Sequence, residues 1–265
     1  MRKVSFTKWD EAGYTLQEDV NTIVTNIKFS SSNLKSICVT SSNENEGKSF
    51  VCMELARAFA RDGKKVVLLD ADLRKSRLEW HYGMEGADGA QGLSHYLVNI
   101  TNNLDDITLE TDIENMYMIL AGQPVVNPPT LFGSDIFKDL LKKLEETYDL
   151  VIVDCPPVCA VIDAAVISAV CSGTIVIVAQ GGSTRKELRY VVQQLDNVGA
   201  NVIGAIVNKV RHSSSLSTGK YGKYGKYGKY GKYGAYGSYG KTASVENASK
   251  GTSKGGNDAQ EESKK

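Results

Sequence analysis

Six short apolar runs, separated by stretches with helical patterning, constrain the fold of this chain more than any other feature. They are typical of buried strands and span residues 36–40, 66–70, 116–121, 150–154, 174–179 and 202–208. Helices are predicted between them at 48–62, 135–147, 163–172 and 184–198. Strands that are apolar throughout and alternate with helices indicate a mostly parallel central sheet flanked by helices. The sequence therefore predicts an α/β fold in which ligands bind beyond the carboxyl ends of the strands.

A phosphate-binding loop (P-loop) follows the first of these strands and opens a helix. Residues 42–49 read SNENEGKS, which matches x-x-x-x-x-G-K-S with Ser42 at the usual first glycine. In such a loop the backbone N–H groups bind phosphate, the lysine reaches the β/γ-phosphates and the serine hydroxyl ligates Mg²⁺. An ordinary turn with a helix cap at Ser49 is the alternative, but the strand–loop–helix context favours nucleotide binding. The predicted nucleotide contacts in this loop are Asn45, Glu46, Gly47, Lys48, Ser49 and Phe50.

Two further strands end in aspartate. Asp70 and Asp72 lie in LLDADLR, and Asp154 lies in LVIVDCPP. A single carboxylate in this position is often only a cap or turn former, but three that converge on a P-loop need a cation, because buried unpaired charges are costly. Magnesium supplies that cation, and a spare carboxylate can accept a hydroxyl proton, as phosphoryl transfer requires. These residues predict a P-loop NTPase fold with catalytic Lys48, Asp70, Asp72 and Asp154, and with Mg²⁺ held by Ser49, Asp72 and Asp154.

The C-terminal part of the chain has the composition of a disordered tail. From residue 211 it contains eleven basic and four acidic residues, a net charge of +7, whereas the preceding 210 residues carry 20 basic and 27 acidic residues. Seven tyrosines recur there at every third position, a period that matches neither strand nor helix. We divide the chain into a P-loop kinase domain, 1–210, and an autophosphorylation tail, 211–265, because a solubilising segment would not need these tyrosines. The predicted phosphate acceptors are Tyr221, Tyr224, Tyr227, Tyr230, Tyr233, Tyr236 and Tyr239.

Composition and cysteine usage indicate a cytoplasmic protein. The N-terminal residues lack the apolar region of a signal peptide, and no apolar run is long enough to cross a membrane, so membrane association requires a partner. The cysteines are odd in number and lie in apolar runs, which predicts reduced, buried thiols. Trp80 and Tyr82 are expected to pack against the body of the protein. The cysteines are Cys38, Cys52, Cys155, Cys159 and Cys171.

The motifs described above resemble those of the bacterial tyrosine kinase (BY-kinase) family. TSSNENEGKS (40–49) is similar to its Walker A motif, VVLLDADLR (66–74) to its Walker A′ motif and LVIVDCPP (150–157) to its Walker B motif. Further similarities are QGLSHYL (91–97), AGQPVVNPPTLF (121–132), VIDA (161–164), GAIVN (204–208) and the tyrosine cluster. The likeness is strongest to the stand-alone cytoplasmic kinases of capsule and exopolysaccharide clusters, and it extends over about residues 18–240.

The resemblance implies MgATP-dependent phosphorylation of tyrosines, including those of the chain's own tail, by one copy acting on another. Lys48 would contact the phosphates and Asp154 would be the Walker B carboxylate. Asp70 is the preferred general base, although Asp72 is not excluded, and Asn208 would contact adenine. The implied partners are a separate transmembrane activator of the polysaccharide co-polymerase type, which recruits the kinase to the inner face of the membrane, and a tyrosine phosphatase. Cycles of phosphorylation would regulate polysaccharide synthesis and export.

Two positions depart from the family pattern. The family's E-x-x-R-x-x-R motif, which builds a ring oligomer, corresponds here to Glu18, Asn21 and Val24, so both arginines are absent. Neutral side chains cannot form the ion pairs between subunits, and we expect no stable ring. In addition, Glu44 and Asn45 replace Pro-Gly in the P-loop, which makes the loop more acidic beside a triphosphate.

Two other function classes remain as alternatives. A partition or septum-positioning ATPase of the ParA/MinD type shares the fold and the aspartates, but its characteristic lysine corresponds to Asn43 here. A non-enzymatic pseudokinase scaffold with a polyanion-binding tail is the second alternative, because lysines interleaved with aromatics can bind nucleic acid. The acidic body argues against a nucleic-acid partner, and a scaffold has no need of the three aspartates.

Overall fold

The computed structural model describes residues 1–31 and 33–210. The strands are β1 (Arg2–Phe6), β2 (Ser36–Ser41), β3 (Val66–Asp70), β4 (Met84–Glu85), β5 (Thr108–Thr111), β6 (Met116–Ile119), β7 (Leu150–Asp154), β8 (Gly173–Ala179) and β9 (Val202–Asn208). The helices are α1 (Tyr14–Ser30), α2 (Lys48–Arg61), α3 (Leu78–Tyr82), α4 (Leu93–Leu97), α5 (Leu104–Ile107), α6 (Pro128–Phe132), α7 (Asp135–Thr147), α8 (Asp163–Ser168) and α9 (Arg185–Asn197). All six predicted strands are present, with ends that differ by at most two residues from the prediction.

The strands form a single sheet in the order β4-β1-β5-β6-β3-β7-β2-β8-β9. The six predicted strands are adjacent and parallel to one another, which confirms the predicted α/β class. The sequence pattern did not predict the other three strands: β5 pairs antiparallel with β6, β1 runs parallel to β5, and β4 pairs antiparallel with β1. The sheet is therefore mostly parallel; beyond β6, β5 and β1 run opposite to the central strands, and β4 runs in the same direction as they do.

Helices cover both faces of the central strands, as the continuous apolar runs predicted. Val66 and Leu68 of β3 pack into the core beneath α1 and α2, whereas Val67 and Leu69 point to the opposite face and its core, which includes residues of α7, α8 and α9. Alternate side chains of one strand thus enter two cores, which is why the strand cannot tolerate polar residues before its end. The acidic residues of these strands, Asp70 and Asp154, lie at the carboxyl termini and are buried there.

The N-terminal segment packs against α2, the helix that the P-loop opens. The Trp9 indole donates a hydrogen bond to Glu54 Oε1 at 2.8 Å, and the Arg57 guanidinium lies 3.4 Å from the centroid of the Trp9 ring. Arg57 also donates to the Asp10 carbonyl oxygen at 3.0 Å and lies 3.9 Å from Glu54. Glu54 and Arg57 are both buried, so the segment provides the contacts that two buried charges require.

Several expectations about individual residues need correction. Tyr82 is buried as predicted, but Trp80 is 73% exposed, because it lies on the outer side of the five-residue helix α3. Four cysteines are buried as expected, whereas Cys159 is exposed.

Of the positions aligned with the ring motif, Val24 on α1 is buried in the core. No helix in residues 1–31 and 33–210 combines the length and apolarity needed to cross a membrane. The predicted tail, 211–265, lies outside the described residues.

Candidate active site

The carboxyl ends of neighbouring strands bring the predicted phosphate loop and aspartates together. In the sheet, β7 lies between β3 and β2, so Asp154 ends the strand next to the P-loop and Asp70 ends the strand after that. Asp70 and Asp154 are directly paired in the register of β3 with β7. Asp72 follows two residues after β3, while Lys48 and Ser49 open α2. The convergence expected from the sequence is therefore present at one edge of the sheet.

The P-loop has the backbone conformation of a phosphate-binding nest. Gly47 has φ +90° and Asn45 has φ +61°, both in the left-handed region. Asn208, at the end of β9, donates from Nδ2 to the Glu46 carbonyl oxygen at 2.9 Å, and a Cβ at position 47 would overlap this amide. Glycine is required at 47 on both grounds. The first N–H groups of α2, which begins at Lys48, have no acceptor within the helix and form an anion site.

Glu46 has a structural role in the loop that the sequence reasoning did not identify. The residue is only 2% exposed. Its carboxylate accepts hydrogen bonds from the Asn43 N–H at 3.0 Å and from the Ser183 hydroxyl at 2.5 Å. The Ala179 N–H lies at 3.4 Å from the same carboxylate. Because the side chain is occupied in this way, only the backbone of Glu46 can contribute to a nucleotide site. In the sequence, the feature that points to this structural role is an acidic residue directly before the glycine of the GKS motif.

A second link joins the loop to α9. The Asn43 side chain donates from Nδ2 to Glu187 Oε1 at 3.1 Å, and Glu187 forms a capping box with Thr184 at the start of α9. Hydrogen bonds from Thr184 lower the pKa of Glu187, so its carboxylate stays ionised and keeps its acceptor role. The phosphate loop is thus held by Asn208 at the end of β9, by Ser183 in the β8–α9 connection and by Glu187 in the first turn of α9.

Of the other predicted nucleotide contacts, Phe50 packs its side chain against the hydrophobic core and offers only its backbone to the loop. Asn208 supports the loop through Glu46, as described above, and its expected contact with adenine stays a prediction. The seven predicted acceptor tyrosines lie outside the described residues.

Burial raises the pKa values of the two paired aspartates, and the charge of Asp154 adds to this effect at Asp70. Asp70 is 1% exposed, and burial together with the charge of Asp154 raises its pKa to about 8, although hydrogen bonds from the Ser76 hydroxyl and the Asp72 N–H act in the opposite direction. Burial raises the pKa of Asp154 to about 6, against the lowering effect of the Ser49 hydroxyl and the charge of Lys48. Two carboxylates in such a site do not ionise together unless a cation is added.

The residues fit the magnesium ion that the sequence predicted. Asp154 Oδ1 is buried and has no hydrogen-bond partner among the described residues, which is the condition expected of a metal-facing oxygen. Asp72 is held in a turn by the N–H groups of Arg74 and Lys75, both of which bond to Oδ1. Within the described part of the chain, no three His, Cys, Asp or Glu side chains form a protein-only metal site. Mg²⁺ commonly binds through one or two carboxylates together with substrate phosphates and water, so Asp72 and Asp154 are the carboxylates that would hold it with Ser49.

An ion pair that the sequence reasoning did not identify fixes the connection after β3. Arg74 donates from Nε and Nη2 to the two carboxylate oxygens of Asp163, at 2.9 and 3.1 Å, and Asp163 is fully buried. The hydrogen bonds with Asp163 raise the pKa of Arg74. Lys75, next in the chain, lies 3.3 Å from Glu44 of the P-loop. The segment with Asp72 is therefore held at both sides, by α8 and by the phosphate loop, and Glu44 has a cationic neighbour.

Comparisons with known proteins agree with this geometry. Residues 34–201 match the family model described as an AAA domain. The tyrosine-protein kinase CpsD of Streptococcus pneumoniae is 36% identical over 220 residues, which are 83% of this chain and 91% of the relative. Among solved structures, the kinase domain of the Escherichia coli tyrosine kinase ETK aligns with a TM-score of 0.68 and 32% identity, covering 77% of this chain and 80% of that one. The chimerical protein CapA2B2 aligns with a TM-score of 0.71 and 27% identity, covering 78% and 93%.

More distant structures share the fold alone. The septum site-determining protein MinD of Pyrococcus horikoshii, solved with Mg-ADP, aligns with a TM-score of 0.55 at 24% identity, covering 68% of this chain and 72% of that one. The predicted P-loop NTPase fold is thus confirmed, and nucleotide with magnesium is bound in a protein of this fold. The similarity to CpsD and to the ETK kinase domain extends over most of the chain. The protein belongs to the bacterial tyrosine kinase family.

Proposed function

We propose that this kinase transfers the γ-phosphoryl group of MgATP to the seven tail tyrosines of a second copy, and that this cycle regulates the synthesis and export of a capsular or extracellular polysaccharide. The observation that carries the proposal is the pairing of Asp70 with Asp154, one strand away from the phosphate loop. This arrangement puts a proton acceptor beside a carboxylate with an unsatisfied buried oxygen.

Each group of the site has a role in the transfer. Lys48 and the N–H groups at the start of α2 bind the phosphates of ATP. Asp70, with a pKa of about 8, is suited to accept the phenol proton near neutral pH. As the proton leaves, the phenol oxygen bonds to the γ-phosphorus, and the bond from that phosphorus to the β–γ bridging oxygen breaks, with its electron pair leaving on ADP. Magnesium held by Ser49, Asp72 and Asp154 would supply charge stabilisation of the phosphates.

The proposal includes a partner and a place. A separate transmembrane activator of the polysaccharide co-polymerase type recruits the cytoplasmic kinase to the inner face of the membrane, and a tyrosine phosphatase reverses the modification. The support is the membership of the tyrosine kinase family, which the match to CpsD over 91% of that relative's length shows. We expect transfer in trans without the ring oligomer that the family's motif builds, since Asn21 is neutral and Val24 is buried in the core.

Phosphorylation changes the charge of the tail enough to act as a switch. The tail, 211–265, has eleven basic and four acidic residues, and the rest of the chain has 20 basic and 27 acidic residues. Each phosphotyrosine adds a charge of about −1.5 to −2, so seven would move the tail from about +7 to about −3 to −7. Attraction between an acidic body and a basic tail then becomes repulsion, which weakens association between copies at low salt.

The proposal is tested with the full chain, MgATP and mass spectrometry, with and without the cytoplasmic segment of the membrane activator. We expect phosphotyrosine at the seven tail positions in the wild type and in the control variant Lys64→Met, whose exposed lysine lies outside the site. Lys48→Met should abolish it. Steady ATP hydrolysis without phosphotyrosine would instead assign the chain to the partition ATPases.

A further inference from the structure

A second pocket opens next to the catalytic aspartates, on the side away from the P-loop. It has a volume of about 660 Å³ and is formed by the connection after β3, by α3, by the segment around β4 and by the residues that follow β6. Its lining includes Ser76, Arg77, Trp80, Glu85 and Leu120. Neither the phosphate loop nor the predicted metal ligands contribute to it.

The sheet order places this pocket beside the proposed base. The strands run β6-β3-β7-β2, so their carboxyl ends present in turn the pocket wall after β6, Asp70, Asp154 and the phosphate loop. Ser76 joins the first two of these, because it lines the pocket and its hydroxyl donates a hydrogen bond to Asp70 Oδ2. A group that enters the pocket therefore lies on the side of Asp70 away from the phosphate loop. For in-line transfer its phenol oxygen must extend past Ser76 to the γ-phosphorus, opposite the β–γ bridging oxygen.

The walls of the pocket are suited to an aromatic acceptor with a charged neighbour. Trp80 is 73% exposed, and its ring, with the Lys8 ammonium 5.5 Å from its centroid, provides a surface on which a phenol can stack. Glu79 and Glu85 add two negative charges, which Lys8 and Arg77 balance. Since the pocket is neutral as a whole, net charge alone does not attract the basic tail. Selectivity must come from stacking of the ring and from pairing of a flanking side chain with one of the glutamates.

On this basis we propose that the pocket binds a Lys-Tyr-Gly unit of the tail of a second copy, with the phenol on Trp80 and the lysine paired with Glu79 or Glu85. The inference rests on the proposed function and names its acceptor site. The tail offers five such units, at Tyr221, Tyr224, Tyr227, Tyr230 and Tyr233, whereas alanine precedes Tyr236 and serine precedes Tyr239. The latter two tyrosines lack the lysine, so they should be the last to be phosphorylated.

The test measures binding and transfer separately. The full chain with serine at its seven tail tyrosines is titrated by calorimetry with two peptides, GKYGKYGK (219–226) and GAYGSYG (234–240), while tryptophan fluorescence reports on Trp80. We expect the lysine-containing peptide to bind about fivefold more tightly than the other, and Trp80→Ala to weaken its binding by about fivefold. Trp80→Phe should retain the affinity but lose the fluorescence change. Glu79→Gln combined with Glu85→Gln should remove the preference between the peptides.

The control variant is Phe29→Ala, which removes an exposed aromatic ring remote from the pocket lining. It should bind both peptides as the wild type does, and all variants should bind ATP with unchanged affinity, since none touches the P-loop. Three results would overturn the inference: equal affinity for the two peptides, no binding of either peptide, or a Trp80→Ala variant that binds the lysine-containing peptide as tightly as the wild type does. Peptide binding as expected without any phosphoryl transfer would contradict the proposed function and leave the acceptor site standing.

Discussion

Replacing Asp70 by asparagine should stabilise the nucleotide-free protein while it abolishes phosphoryl transfer. Asp70 is 1% exposed, and its charge is opposed both by burial and by Asp154, the residue paired with it on β7. Asparagine has the same shape and carries no charge at any pH. Its Oδ1 can accept the hydrogen bond from the Asp72 N–H, while its Nδ2 takes the place of the oxygen that accepts from Ser76, whose hydroxyl can turn to accept instead. The substitution therefore removes an electrostatic cost without creating a cavity.

The size of the effect follows from the raised pKa. An unfolded aspartate titrates near 3.9, and the folded Asp70 has a pKa of about 8. The folded state binds the proton more tightly, so this carboxyl contributes most to stability below pH ~4, and the contribution is lost as the pH rises towards 8. With about 1.4 kcal/mol for each pKa unit, the loss amounts to about 4 kcal/mol at pH 7. Asp70→Asn should be more stable than the wild type by roughly this amount at pH 7 and equally stable near pH 4.

The assay is urea unfolding of both proteins between pH 4 and 8, in EDTA and without nucleotide. Asp154, whose pKa is raised to about 6, adds a smaller dependence of the same sign that should remain in the variant up to that pH. Lys64→Met serves as the control for a substitution at an exposed site. If Asp70→Asn unfolds at the same urea concentration as the wild type at both ends of the pH range, then Asp70 is not a destabilised buried acid and the account of the site is wrong.

Substitutions at three further positions test which contacts hold the phosphate loop and the neighbouring segment in place. Glu46→Gln replaces one acceptor oxygen by an amide N–H₂, which then faces either the Asn43 N–H or the Ser183 and Ala179 donors. MgATP affinity should therefore fall about tenfold in calorimetry, with a stability loss of about 1–3 kcal/mol in urea. Gly47→Ala should cost more affinity than Glu46→Gln, since φ of +90° and the Asn208 amide both exclude a Cβ, and wild-type nucleotide affinity in this variant would refute the loop geometry. Arg74→Ala should destabilise the fold by about 3 kcal/mol because Asp163 stays buried without its partner, whereas Arg74→Lys should lose about half as much in thermal unfolding.

The central sheet could be predicted from the sequence because burial on both faces leaves a local trace. Strands such as Val66–Asp70 are apolar at every position before the last, and the aspartate at the last position marks the site. In contrast, β4 has only two residues, and β1 (RKVSF) and β5 (TLET) contain charged and polar residues instead of a continuous apolar run, so the extension beyond β6 was missed.

The contacts that support the site could not be predicted in the same way. Arg74 and Asp163 are 89 positions apart, and Asn208 is 162 positions from Glu46, so only the folded sheet brings these partners together. The prediction that Trp80 packs against the body was wrong for a related reason. An aromatic residue is buried only if the tertiary structure provides a surface over it, and α3 is too short to determine this from its own pattern.

The packing of Trp9 on the buried pair Glu54 and Arg57 bears on where this kinase can be cut for laboratory study. A fragment limited to the matched region, 34–201, would omit the Trp9 indole. It would expose Glu54 and Arg57 on α2, the helix that follows the phosphate loop. Such a fragment would also lose β9 and with it the Asn208 amide bonded to the loop. Domain borders taken from similarity alone are therefore narrower than the unit that holds the nucleotide site in shape, and a truncated version should keep residues 1–210.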